Sequence, residues 1–257
     1  MSSRWAGTPQ VAAPTAEIVA RTSTSLPALN IKSVLRDIKK GLLGDPALQP
    51  TLCYGQDGED LILDRLLERR PLGFYVDVGA HHPVRFSNTF LFYKRGWRGI
   101  NIDAMPGAMR AFERLRPRDI NIESGVADAS GRLKYHRFNE PALNTFDAAE
   151  AQRKNSPPYE LLDTIEVPVE RLDRLLALHL PAGQDIDFMS VDVEGKDLEV
   201  LRSNDWTRHR PRFVLAETLR TDLLALGTCP ITRFLMDVGY RPVAKAYNTS
   251  FFCRDDT

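Results

Sequence analysis

The stretch Phe74-Tyr75-Val76-Asp77-Val78-Gly79-Ala80-His81-His82-Pro83 decides the fold of this chain. Its first five residues form a short, mostly apolar run, which is typical of a central strand in a parallel sheet because such strands are buried on both faces. The run ends at Gly79, where the backbone can turn tightly beside a ligand because glycine has no Cβ. The stretch therefore predicts a buried strand that ends in a ligand-binding turn.

Strand and helix patterns alternate on both sides of this stretch. Further strands are predicted at 99–103, 119–126, 132–138, 186–193 and 212–217, with a last pair at 241–246 and 250–253. Helices are predicted at 58–70, 88–95, 106–115, 167–179, 198–204 and 231–238, and a loop insertion at 139–160. This order predicts an α/β fold, in which a doubly wound, mostly parallel sheet has helices on both faces and an antiparallel hairpin at its C-terminal edge.

The first fifty residues differ in composition from the rest. Residues 1–25 are rich in Ser, Thr, Pro and Ala, which predicts a flexible arm with too little apolar surface to fold. Apolar residues recur at helical spacing from Leu29 to Leu43, before Gly44, and predict a helix that caps the domain or serves as a lid or a dimer element. We therefore divide the chain into an arm with a cap helix over 1–50 and one domain over 51–257.

Charge and cysteine content restrict the partners of the chain. Its 257 residues include 34 basic and 34 acidic residues, a balance that favours neither nucleic acid nor an anionic membrane, although a local patch is compatible with it. Cys53, Cys229 and Cys253 lie far apart without metal-ligand spacing, as suits a reducing compartment. Neither a signal peptide nor an apolar run of roughly 20 residues is evident. We expect a cytoplasmic protein without membrane insertion, and a homo-oligomer is compatible with the sequence.

Carboxylates and small residues follow several predicted strands. In an open α/β sheet the ligand crevice lies outside the carboxyl ends of the strands. Carboxylates there are costly to bury unless each binds a cation, a hydroxyl or a metal. The candidate site residues at these ends are Asp77, Gly79, Ala80, Asp103, Ser124, Gly125, Asp192, Glu194 and Glu217.

The turn after the first strand disfavours two common nucleotide sites. A dinucleotide fingerprint would need two further glycines, where this chain has His82 and Pro83, and a Walker loop is absent. What remains is the acid-x-Gly turn together with Asp103, which ends the next strand and can accept hydrogen bonds from two ribose hydroxyls. Asp77 can hold an amino group directly or through water. An amino acid joined to a nucleoside matches this pair, and S-adenosylmethionine is such a ligand.

Six motifs follow one another along the chain. They are Tyr54–Asp60, Gly73–Pro83, Ser87–Thr89, Gly96–Asp103, Arg116–Asn121 and Val191–Gly195. In this order they resemble the FkbM family of S-adenosylmethionine-dependent methyltransferases, and with Arg210–Phe213 and Glu217 the resemblance covers roughly residues 51–257. Gly55 and Ala104 depart from the family, which more often has Ser and Pro there, but neither change removes a functional side chain.

The resemblance implies a Rossmann-like class I methyltransferase fold over residues 51–257. It also implies S-adenosylmethionine as the methyl donor and, usually, methylation of a hydroxyl on a sugar, glycan or natural-product scaffold. The residues expected to bind the donor are Gln56, Asp77, Gly79, Ala80, Asp103, Ser124 and Gly125. We expect Asp103 to be an exposed carboxylate that contributes little to packing.

Methyl transfer to a hydroxyl requires alignment of the two reactants and a base that removes the proton. The candidate bases are Asp192, Glu194, Glu217 and His82. Alternatively, the three carboxylates hold a divalent ion that lowers the pKa of the hydroxyl, in which case EDTA abolishes activity. Two other functions remain open from the sequence: methylation of an amine, which needs little base catalysis, and a non-catalytic binding module with this fold.

Overall fold

The computed structural model describes residues 31–43 and 50–256. The predicted arm at 1–25 lies outside these residues. The chain divides into two compact units, Met1–Leu52 and Cys53–Thr257. In the first unit, helix α1 (Ile31–Leu43) occupies most of the span that was predicted as a helix from Leu29. None of the described helices is long and apolar enough to cross a membrane.

The second unit contains the remaining helices and strands. Its elements in chain order are α2 (Glu59–Leu66), β1 (Phe74–Val78), α3 (Phe90–Lys94), β2 (Arg98–Asp103), α4 (Met109–Leu115), β3 (Ile120–Glu123), β4 (Gly125–Val126), β5 (Gly131–Phe138), α5 (Ala148–Lys154), β6 (Leu161–Glu170), α6 (Leu172–His179), β7 (Phe188–Val191), α7 (Asp197–Arg202), β8 (Phe213–Glu217), α8 (Pro230–Asp237), β9 (Tyr240–Ala246) and β10 (Thr249–Arg254). Seven of these strands form the main sheet, in the spatial order β3-β2-β1-β7-β8-β10-β9.

The first five strands in that order are parallel, and β10 runs antiparallel to both β8 and β9. The predicted doubly wound, mostly parallel sheet with an antiparallel C-terminal hairpin is thus confirmed. Because parallel neighbours place their carboxyl ends on the same edge of the sheet, the residues that follow β1, β2, β7 and β8 meet there.

Both faces of the main sheet are covered by apolar layers. Val76 and Val78 pack into the layer that contains α6 and α7, whereas Tyr75 packs into the layer that contains Phe92 and Trp97. Alternate residues of a strand point to opposite faces, so β1 is buried along its whole length. This double burial explains why the deciding stretch lacks the polar alternation of a half-exposed strand.

A second sheet, with the order β4-β6-β5, was not predicted. The predicted strand 119–126 is wrong as a single strand, because the chain leaves the main sheet after Glu123 and enters the second sheet at Gly125. The predicted helix at 167–179 is wrong in its first part, since residues up to Val169 pair with β5, Glu170 pairs with β4, and the helix begins at Leu172. Val167 and Val169 are buried while Pro168 is exposed, which is a strand period of two.

The predicted loop insertion at 139–160 also contains helical structure. A short 3-10 helix at Pro141–Leu143 precedes α5. The Asp147 side chain caps α5 by accepting hydrogen bonds from the backbone N–H groups of Ala149 and Glu150. The insertion is therefore an ordered element that can place side chains, and it brings several to the edge where the strands end.

Candidate active site

A cavity of about 410 Å³ opens at the carboxyl ends of β1, β2, β7 and β8. This volume lies in the ordinary range for small-molecule sites. All the residues that were predicted for donor binding or catalysis line it: Gln56, Asp77, Gly79, Ala80, His82, Asp103, Ser124, Gly125, Asp192, Glu194 and Glu217. The structure therefore brings together the two sets of residues, although their roles stay predictions.

The turn at Gly79 fits only a glycine. Gly79 has a φ of +82°, and a Cβ at this position would lie 1.7 Å from the backbone oxygen of Asp192. The N–H groups of Gly79 and Ala80 both donate to the carbonyl oxygen of Ile102, at 2.9 and 3.1 Å. The turn after β1 is thus held between β2 and the end of β7, and its backbone forms the floor of the cavity.

Asp103 ends β2 and holds two neighbouring turns. Its Oδ2 accepts a hydrogen bond from the N–H of His81 at 2.7 Å, and its Oδ1 accepts one from the N–H of Met105 at 2.8 Å. The side chain is buried, so the expectation of an exposed carboxylate is wrong. The loss of water raises the pKa of Asp103, although the two hydrogen bonds act to lower it. Each carboxylate oxygen keeps a second acceptor site, so Asp103 can still bind two ribose hydroxyls.

Asp77 is fixed by a buried polar network. The Thr89 hydroxyl donates to Asp77 Oδ2 at 2.7 Å and accepts a hydrogen bond from Arg116 Nη2 at 2.9 Å. Arg116 is fully buried, and its Nε donates to Asp119 at 2.9 Å. Burial raises the pKa of Asp77 to about 6, although the Thr89 hydrogen bond and the Arg116 charge act to lower it. Arg116 and Asp119 belong to a motif that the sequence pointed to without a role, and the structure makes them the support of Asp77.

Asp192, Glu194 and Glu217 form a carboxylate cluster. Each offers an oxygen, and these oxygens all lie within 4.8 Å of one another. Glu217 is buried, and its Oε2 has no hydrogen-bond partner among the described residues. Burial, followed by the charge of Asp192, raises the pKa of Glu217 to about 10. Desolvation and then the Glu194 charge also hold the pKa of Asp192 well above its ordinary value.

Residues of the insertion reach this cluster and were not predicted. Lys154 of α5 is buried and forms an ion pair with Glu194. The Thr145 hydroxyl donates to the backbone oxygen of Glu194 at 2.8 Å. The cap formed by Asp147, with Glu150 three residues later, is a sequence signal that would have located α5. It would not have located the ion pair, whose partners lie 40 residues apart.

A further buried carboxylate, Asp197, follows the cluster at the start of α7. Burial raises its pKa to about 7, and its Oδ1 has no hydrogen-bond partner among the described residues. Asp197 does not line the cavity. It adds negative charge behind the cluster, and this charge raises the pKa values of Asp192 and Glu217 further.

His82 has a different environment from the carboxylates. Its Nδ1 accepts hydrogen bonds from the N–H groups of Val84 at 3.1 Å and Arg85 at 2.9 Å. Because Nδ1 is an acceptor, the neutral ring carries its proton on Nε2. Desolvation lowers the pKa of His82, which favours this neutral form. The ring then has no free basic nitrogen, so the geometry favours the carboxylates over His82 as the base.

The insertion and the second sheet give the Ser124–Gly125 side of the cavity an aromatic wall. Phe146 lies so close to Gly125 that a Cβ there would come within 2.6 Å of its ring. The Phe146 ring packs against Tyr135 at a centroid distance of 4.8 Å. Both aromatic residues line the cavity. This aromatic surface lines the same cavity as the carboxylate of Asp103, an arrangement that suits a ligand with a planar ring next to a ribose.

A comparison with known families shows that this chain is a methyltransferase. Residues 77–241, more than half of the chain, match the methyltransferase FkbM domain. The chain therefore belongs to the FkbM methyltransferase family, its fold is the Rossmann-like class I methyltransferase fold, and the family implies S-adenosylmethionine as methyl donor. Among solved structures, a TehB-like SAM-dependent methyltransferase from Corynebacterium glutamicum is similar over 89% of this chain and 100% of that chain, with 10% identity and a TM-score of 0.36. No curated protein matches the chain.

Proposed function

We propose that the protein transfers a methyl group from S-adenosylmethionine to a hydroxyl of a sugar, glycan or natural-product acceptor. The observation that carries this proposal is the buried, unpartnered Oε2 of Glu217, which belongs to the same carboxylate cluster as Asp192 and Glu194 in the described part of the chain. A hydroxyl attacks slowly unless it loses its proton during the step, whereas an amine carries its own lone pair. A carboxylate cluster beside the donor site therefore supports a hydroxyl acceptor.

The residues at the ends of β1 and β2 fit the donor. Gly79 and Ala80, in the turn after β1, line the cavity, where a ligand can approach their backbone. Asp103 keeps acceptor sites for the ribose hydroxyls, and Asp77 is held in the wall, where its carboxylate can pair with the donor's amino group. Gln56, Ser124 and Gly125 complete the proposed donor site.

Asp192 is the proposed general base. It is the most exposed of the three residues, whereas Glu194 is engaged by Lys154 and Glu217 keeps its proton at neutral pH. In this proposal the Asp192 carboxylate accepts the hydroxyl proton as the acceptor oxygen attacks the methyl carbon and the bond from that carbon to sulfur breaks. Protonated Glu217 can donate a hydrogen bond to the acceptor, which helps to orient it.

The same three carboxylates also fit a divalent cation. Hard cations prefer oxygen ligands, and a separation of up to 4.8 Å is about twice the calcium–oxygen distance. Asp192, Glu194 and Glu217 would hold the ion, and Glu194 would then give up its ion pair with Lys154. A bound cation would lower the pKa of a hydroxyl that it contacts.

Methyl-labelled S-adenosylmethionine, offered with methyl glycosides and with the corresponding amino sugars, tests the acceptor class. We expect the label on oxygen; labelling of nitrogen alone would refute the proposal. EDTA distinguishes the two versions of the site, because activity survives chelation if Asp192 acts alone. Activity that is lost on chelation and restored by Mg²⁺ or Ca²⁺ assigns the cation to the cluster.

Glu217→Ala tests the contribution of the cluster. We expect kcat to fall roughly tenfold, because the hydrogen bond that orients the acceptor is lost, while calorimetry shows parental affinity for S-adenosylhomocysteine. Glu113→Ala makes the same chemical change at an exposed position on α4, outside the cavity lining, and is the matched control. Equal activity of the two variants would exclude Glu217 from the reaction.

A further inference from the structure

The sequence of helix α1 is apolar on one face. Since successive helical residues are about 100° apart, five apolar residues fall within an arc that is about 100° wide. They are Ile31, Val34, Leu35, Ile38 and Leu42. Among them, the side chains of Val34, Leu35 and Ile38 are 40%, 58% and 52% exposed. A helix with such a stripe normally buries it against another surface.

The other side of α1 is basic. Its sequence contains Lys32, Arg36, Lys39 and Lys40 but only one acidic residue, Asp37. This local excess of positive charge stands out in a chain with a net charge of zero. On the helix surface Lys39 lies about 40° from Leu35, so a cation flanks the apolar face directly. Long basic side chains in this position can lie along an apolar surface and keep the charge in the polar layer.

We infer that α1 is an interfacial helix that binds the protein to an anionic membrane surface. A helix of 13 residues is about 20 Å long, which is too short to span a bilayer but suits a position in the interfacial plane. There its aliphatic side chains enter the acyl boundary while the basic residues contact anionic lipid headgroups.

The charge of α1 argues against two other occupants of this face. A second copy of α1 would bring two basic helices together, which is unfavourable. Nucleic acid would neutralise the basic residues but leave the apolar side chains in water. An anionic lipid surface satisfies both sides of the helix at once.

Co-sedimentation of the full chain with vesicles tests this inference. We expect binding to vesicles of phosphatidylcholine with phosphatidylglycerol, weak or no binding to phosphatidylcholine alone, and loss of binding at high salt. Each basic residue near an anionic surface contributes roughly fivefold to binding. Lys32→Gln combined with Lys39→Gln should therefore weaken binding about 25-fold.

Substitutions at two adjacent positions test the apolar face and the polar side of the helix separately. Ile38→Asn should strongly reduce vesicle binding, because it places an amide in the apolar face. Asp37→Asn, the matched control on the polar side, should bind as tightly as the parent or up to about fivefold more tightly. Both variants should bind S-adenosylhomocysteine with parental affinity, which shows that the methyltransferase domain is folded.

Three results would overturn the inference. The first is failure of the parent to sediment with phosphatidylglycerol vesicles. The second is parental binding by Ile38→Asn. The third is a dimer in sedimentation velocity that Ile38→Asn abolishes, without vesicle binding by the parent, and this result would assign the face to a second copy.

Discussion

Replacement of Gly79 by alanine should destabilise the fold and displace the backbone at Asp192. A Cβ at Gly79 would lie 1.7 Å from the Asp192 backbone oxygen, whereas real Cβ contacts stay beyond 3.0 Å, so one of the two segments must move by about 1.3 Å. The positive φ adds roughly 1–2 kcal/mol of backbone strain, and forced repacking adds roughly 1–3 kcal/mol. We therefore expect Gly79→Ala to lower the free energy of unfolding by ~2–5 kcal/mol.

The same displacement acts on the reaction, because it moves the residue proposed as the base. A misplacement of about 1 Å can reduce a rate roughly 100-fold, so kcat should fall by about that factor. Gly183→Ala is the matched control, since Gly183 has a similar φ of +73° but has no atom within 4 Å of its Cβ position and lies outside the cavity lining. It should lose only ~1–2 kcal/mol and keep parental kcat. Urea unfolding and methyl-transfer kinetics measure both effects, and identical behaviour of the two variants would refute the argument.

Further substitutions test the remaining groups. Asp103→Ala should weaken S-adenosylhomocysteine binding in calorimetry roughly 10- to 1,000-fold, because two charge-assisted hydrogen bonds to ribose are lost. It should also destabilise the fold, because the backbone N–H groups of His81 and Met105 lose their acceptor. Asp192→Asn should keep the parental affinity for the donor but lose turnover. In the parent, kcat should rise with pH through a pKa well above 3.8, because the proposed base must first lose its proton. Asp77→Asn should weaken donor binding but raise the free energy of unfolding at pH 7 by up to ~3 kcal/mol. The folded-state pKa of about 6 exceeds the ordinary 3.8, so ionisation of Asp77 destabilises the fold as the pH rises between these values. In urea titrations the gain in stability should therefore vanish below about pH 4. Tyr247→Asn should raise the melting temperature, because Tyr247 is 80% exposed at a φ of +40°, a conformation that Asn adopts more readily.

The main sheet could be predicted because its strands are marked by short apolar runs that end in turn residues. The same rules failed at 119–126, where a continuous strand pattern passes from one sheet into another at Ser124. They failed again at Val167 and Val169, because apolar residues in a strand led directly into the apolar spacing of α6. Periodicity identifies local structure, but it does not identify the sheet to which a strand belongs.

Only those site residues that lie at the ends of strands could be predicted from the sequence. Asp77, Asp103 and Glu217 meet because parallel strands share one edge, and this follows from strand order alone. The burial of Asp103 was mispredicted because the N–H groups that hold it come from turns whose conformation has no separate sequence signal. Lys154 was missed because its ion pair joins segments 40 residues apart across an insertion that carried no recognised pattern.

The insertion connects the two ends of the site. Lys154 and Thr145 hold Glu194 at the proposed acceptor end, while Phe146 packs over Gly125 at the proposed donor end. Glu140 also forms a two-bond ion pair with Arg85, in the segment that follows β1. Because one ordered segment contacts all three places, it fixes the separation between the proposed donor site and the carboxylate cluster. Methyl transfer depends on that separation more than on any single contact, since the attacking oxygen must be aligned with the methyl carbon and sulfur. The insertion, which the sequence presented as a loop, is therefore the element on which the geometry of the proposed reaction depends.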